Sequence, residues 1–77
     1  MEVIDVRADP GPDGIRFPRS FVYQGQEFQV DSIGRHWQAE DGEHILVMIQ
    51  PNDRVLELLY AAGVWHLLRG YSRHTPA

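Results

Sequence analysis

The chain has no cysteine and no lysine. Its apolar runs all fall well short of the roughly 18 residues that a membrane span requires. Without cysteine there is neither a disulfide framework nor a thiolate zinc site to reinforce the fold. The seven cations are all arginine, set against eleven acidic residues for a net charge of −4. That balance argues against a chain whose main task is to neutralise a phosphate backbone. Arginine favours planar, bidentate or stacked contacts, although coding bias alone produces the same composition. The opening Met1-Glu2-Val3-Ile4-Asp5 lacks the basic start and long apolar segment of a signal peptide, so a soluble cytoplasmic protein is expected.

At 77 residues, the expectation is one small domain over residues 1–77. A short chain hides a smaller share of its surface than a long one, so the core is thin and a partner surface, or a second copy of the chain, is a natural source of added stability. The packed region is expected over about residues 15–71. Ser72 to Ala77 have no apolar anchor and read as a frayed tail.

What the sequence does contain is a series of short alternating or apolar runs punctuated by Gln24-Gly25, Asp41-Gly42, Pro51-Asn52-Asp53 and Ala62-Gly63. This spacing predicts an all-β domain of five or six antiparallel strands in meander order, forming a strongly bent sheet or a small, partly open barrel. Val3 to Arg7 can start a strand, which the Pro- and Gly-rich stretch from Ala8 to Gly14 ends. Ile15, Phe17, Phe21 and Tyr23 follow at period two with Pro18 among them, marking an edge or bulged strand. Gln24-Gly25 then turns the chain into Phe28 and Val30. Ile33 and Trp37 lie in the opposite parity, which implies an extra residue near Asp31 or Gly34 and a sharp bend. Ile45 to Ile49 is continuously apolar, so both faces of that strand should be covered. With Ala61-Ala62 as a two-residue loop, Leu58 would face Trp65, Leu56 would face Leu67, and Glu57 would lie opposite His66. A helix over Arg54 to Ala62 competes with this reading, since Val55, Leu58, Leu59 and Ala62 are spaced like a buried helical stripe.

Few residues carry the marks of chemistry. His36, His44, His66 and His74 form no i, i+4 or His-x-His pair, so no metal site is expected. Ser20, Ser32 and Ser72 stand in no nucleophile-elbow context, and no phosphate loop is present, so neither a catalytic residue nor a cofactor is assigned. Glu57 with His66 is the sharpest candidate pair, but an ordinary opposite-charge cross-strand contact explains it better than chemistry does. A binding surface is the better expectation. Arg16 and Arg19 flank the Phe17-Pro18 step. Arg35 and Trp37 share a strand face, where a cation beside an indole can stack on a base or grip a carboxylate. The competing reading makes Trp37 a core anchor with Arg35 covering its edge.

Phe17-Pro18-Arg19-Ser20-Phe21-Val22-Tyr23-Gln24-Gly25-Gln26-Glu27-Phe28-Gln29-Val30, followed by Ile33, Trp37, Val55 to Tyr60 and Trp65-His66-Leu67-Leu68-Arg69, resembles an uncharacterised family of small bacterial β domains. The resemblance spans about residues 15–71. Family members occur alone or beside, or fused to, translesion-polymerase-like proteins. The resemblance therefore implies the β fold and a DNA-repair context, with no catalytic residue to carry over. This chain lacks the longer, more basic insert that members often carry after the tryptophan. The expected function is a non-enzymatic protein-interaction or self-association module, with a nucleic-acid-associated accessory module built on Arg16, Arg19, Arg35 and Trp37 as the alternative. No membrane role is expected.

Overall fold

A computed structural model describes residues 2–11, 15–50 and 54–72, and these form six strands with no helix. The strands are β1 (Glu2–Pro10), β2 (Arg16–Tyr23), β3 (Gln26–Ala39), β4 (Gly42–Gln50), β5 (Arg54–Ala61) and β6 (Val64–Ser72). Each pairs antiparallel with the next in sequence, and β1 returns to β6 to close the barrel. Closure rests on Glu2, Val3 and Ile4 registered against Leu67, His66 and Trp65. With no helix among the described residues, none is long and apolar enough to cross a membrane.

The bends come from bulges. Fully extended, the 14 residues of β3 would reach about 46 Å, yet the longest dimension of the molecule is 34 Å. The β3–β4 register shifts twice, between Val30 and Ser32 and between Ile33 and His36, which fold the strand around the barrel. One extra residue is expected, near Asp31 or Gly34; there is one at each place, so Ile33 and Trp37 end on opposite faces. Opposite β1, β2 carries a further bulge at Arg19, because Arg7 faces Ser20 while Ala8 faces Pro18. Pro18 is therefore in a bulged strand, as its missing N–H requires.

The barrel interior is apolar. Ile4, Phe21, Ile45, Val47, Ile49, Leu56, Leu58 and Trp65 form the buried cluster, with Val6, Phe28, Val30 and Leu67 packed against it. Phe21 stacks on Phe28 at 5.4 Å. One end of the interior is filled by a polar plug: Arg16 reaches Glu43 at 3.4 Å and lies 4.0 Å from the Tyr60 ring centre, and Tyr60 packs at 4.9 Å on Trp65.

Several expectations shift. The core begins at Ile4, because β1 runs through Ala8 to Pro10 instead of ending at Arg7. Val55 to Ala61 is strand, with Leu56 and Leu58 inward, so the helical alternative fails. Asp41-Gly42 is displaced by one residue: Glu40 and Asp41 form the turn and Ala39 pairs with Gly42. The β5–β6 loop is Ala62-Gly63, not Ala61-Ala62, so Tyr60 faces Trp65, Leu58 faces Leu67 and Leu59 faces His66. Leu58 is therefore two residues from its expected partner, and the bulge at Leu68 sets Leu56 and Glu57 three residues from theirs. The outer face of β4 is only half covered, with Leu46 and Met48 partly exposed. Trp37 is not a core anchor: it is half-buried on the outer face, because the two bulges of β3 turn it away from the cluster that Trp65 joins. Ser72, expected to begin the frayed tail, is the last residue of β6 and is registered against Arg54; Pro51 to Asp53 and residues 73–77 lie outside the described residues.

Candidate functional site

The four candidate binding residues are not brought together as one patch. Arg16 belongs to the plug at the barrel end. Arg19, the bulge residue of β2, is exposed and meets Asp9 at 3.2 Å. Arg35 and Trp37 do associate, with the guanidinium carbon 5.2 Å from the indole ring centre. Two of the three candidate arginines thus face carboxylates, and Arg35 sits against its own strand's tryptophan.

The most ordered polar cluster on the barrel surface is centred on His44, which sequence reasoning did not single out as a partner for Glu57. Trp37 is registered opposite His44, and the two rings stack at 5.1 Å and 9°. His44 Nδ1 lies 2.8 Å from Glu57 Oε2, and Nε2 lies 2.7 Å from Asp41 Oδ1. Ionised carboxylates only accept, so both bonds are made at once when both ring nitrogens carry protons and donate. Burial opposes that charge, but the hydrogen bonds to Asp41 and Glu57, reinforced by their negative charge, outweigh it and raise the His44 pKa above its ordinary value. The same hydrogen bond from His44 holds the Asp41 carboxyl below its ordinary value. Glu57 is buried and extends the chain of charges to Arg69, whose Nε is 3.5 Å away. Leu59, registered between His44 and His66, is 2 % exposed and forms the apolar floor beside this cluster.

The predicted Glu57–His66 pair is therefore replaced. A bulge at Leu68 sets Glu57 opposite Arg69, while Leu59 takes His66. The signal for the observed partner was present in the β4–β5 register. Ile49 pairs with Arg54, which carries Glu57 opposite Leu46 and makes His44 its diagonal neighbour on the same face. Among the described residues, no group of three or more His, Asp or Glu side chains is arranged to hold a metal.

The other feature is a gap in the sheet. The β2–β3 ladder stops at Ser20 opposite Gln29, whereas β3 continues to Ala39 with β4 as its only registered neighbour among the described residues. Arg16 to Arg19 of β2 and Val30 onward of β3 diverge from there. A cleft of about 270 Å³ opens between them, lined by Phe17, Pro18, Arg19, Val30, Asp31, Ser32 and Ile33. Pro18 lacks the N–H a ladder there would need, and the bulge at Asp31 removes the matching register. Comparison with known proteins finds no family model, no curated protein and no solved structure that matches this chain.

Proposed function

We propose that this is a non-enzymatic interaction domain that receives an extended segment of another protein as an added strand along the open edge of β3. One observation carries the reading: β3 runs ten residues past the end of its ladder with β2. A row of main-chain donors and acceptors on such an edge is a template for strand addition. The cleft beside it offers Phe17, Val30 and Ile33 to a partner's side chains. Arg35, held over Trp37, is placed to meet an acidic residue of that segment.

Two further observations support binding over the alternatives. Both nitrogens of His44 are taken by carboxylates, so the most organised histidine has no free lone pair with which to act as a base. Arg16 and Arg19 face Glu43 and Asp9, and the chain carries net charge −4, which weakens the nucleic-acid reading.

Selection from a library of displayed linear peptides tests the proposal. Selected peptides should carry an acidic residue, slow amide hydrogen exchange within 35–39, and lose about tenfold in affinity to the Arg35→Glu variant. Protection confined to another strand would refute strand addition at β3. Salt-sensitive oligonucleotide binding that Arg35→Ala abolishes, with no peptide selected, would favour the accessory-module reading instead.

A further inference from the structure

The two ends of the barrel differ. Arg16, Glu43, Tyr60 and Trp65 fill one. The other holds a cavity of about 200 Å³ lined by ten residues from all six strands. Its floor and walls include Phe28, Ile49, Leu56 and Leu67, and its charged groups are Glu2, Arg54 and Arg69. Mouths of β-barrels with apolar walls and a few polar groups are recurrent ligand sites.

Two local features build this mouth. The bulge at Leu68 interrupts the inward–outward alternation of β6, so that Leu67 and Leu68 both line the cavity. Gly70 gives Arg54 its place. A Cβ at that position would stand 2.7 Å from Arg54 Nη2 and 2.8 Å from Leu56 Cδ2, so any larger residue would push the guanidinium off the rim and Leu56 off the wall. Glu2, the one acidic group at the mouth, lies 3.5 Å from the Tyr23 hydroxyl, which donates to it. Arg69 leans toward Glu57, whereas Arg54 makes no ion pair with a described residue.

We propose that this mouth binds a small, free monocarboxylic acid, its apolar chain lying against Phe28, Ile49, Leu56 and Leu67 and its carboxylate on Arg54. The cavity is smaller than the roughly 300 Å³ at which drug-sized sites begin, which suits a short chain or a single ring. Arg69 is engaged by Glu57 and Glu2 accepts from the Tyr23 hydroxyl, so Arg54 is the rim group placed to meet an anionic head. This site is separate from the β3 edge, and its occupancy does not depend on strand addition there.

Methyl and amide NMR titration of the intact protein with octanoate, octanol and octylammonium tests this without any variant. Octanoate should bind with a dissociation constant on the order of 1 mM and shift Ile49, Leu56 and Leu67 together. Octanol and octylammonium should bind about tenfold more weakly or not at all. Equal binding of octanol, or shifts spread over the outer surface, would overturn the proposal. Arg54→Gln should weaken octanoate about tenfold while leaving the melting temperature unchanged, and unaltered affinity in a folded Arg54→Gln protein would also overturn it. A short peptide ending in a free Leu carboxylate that bound the same residues ten times more tightly would point to a chain terminus and refute the free-acid assignment.

Discussion

His44 is a buried imidazole held between two carboxylates and covered by an indole, and that environment makes it a pH-dependent element of stability. Its folded-state pKa lies above the ordinary value of about 6.5, so the native state binds more protons than the unfolded chain as pH rises past that value. The His44 contribution is complete below about pH 6.5 and is lost as pH climbs through the raised value. Asp41 acts in the opposite sense: its depressed pKa stabilises the fold above the ordinary carboxylate range and fails as pH falls through the lowered value. Urea unfolding should therefore show greatest stability between about pH 4 and 6.5. A decline above that window should disappear in His44→Gln, and a decline of the same size in the variant would assign it elsewhere. Trp37 fluorescence should titrate with the same midpoint because the rings are stacked. The nearest sequence clue, Glu57 with a histidine, named one partner correctly and missed the other. Side chains two residues apart along a ladder meet only once the register is known.

The β5–β6 hairpin carries a mismatch between residue and backbone. Ala62 and Gly63 both have positive φ, 52° and 78°, as the type I′ turn requires. Glycine takes that conformation freely, whereas an alanine Cβ crowds the following carbonyl at roughly 1–2 kcal/mol. Ala62→Asn should recover about 0.5–1 kcal/mol of stability, read from the urea midpoint, and a loss would show that the turn is held by other contacts. The β2–β3 hairpin uses Gln24-Gly25 at 52° and 76° in the same way. Its turn position was readable because Gln-Gly leaves one candidate pair. Ala61-Ala62-Gly63 leaves two, and the choice between them moves every cross-strand partner by two residues while keeping each side chain on its face.

At the scale of the whole molecule, the weakest seam is the one that makes the barrel. Among the described residues, β1 meets β6 through three registered pairs, while β4 meets β5 through seven. Val3 sits in the middle of that seam with its side chain 69 % exposed. Val3→Pro therefore places a residue with a fixed φ and no N–H in the seam without leaving a cavity. It should cost about 0.5–3 kcal/mol and speed amide exchange in 64–67, whereas Val3→Thr should be close to neutral. If Val3→Pro left stability unchanged, the barrel would be closed in name only. The open β3 edge and the open mouth are consequences at the same scale. A closed cylinder of strands hides its edges, so the places where a ladder stops or an end is left unfilled are where another molecule can meet main chain or core.

The period-two runs, the turn dipeptides and the parity change after Val30 determined an all-β meander, the bend of β3 and the inward faces of β2, β5 and β6. Those features are local, since alternation and turn chemistry act over a few residues. Closure by β1, the ion pairs of Arg16 and Arg19, the stacking of Trp37 on His44 and the contrast between the two barrel ends were decided only in three dimensions. Each depends on register between strands, and register is the sum of every bulge along the way: one extra residue at Asp31, Gly34-Arg35 or Leu68 redirects all the side chains beyond it.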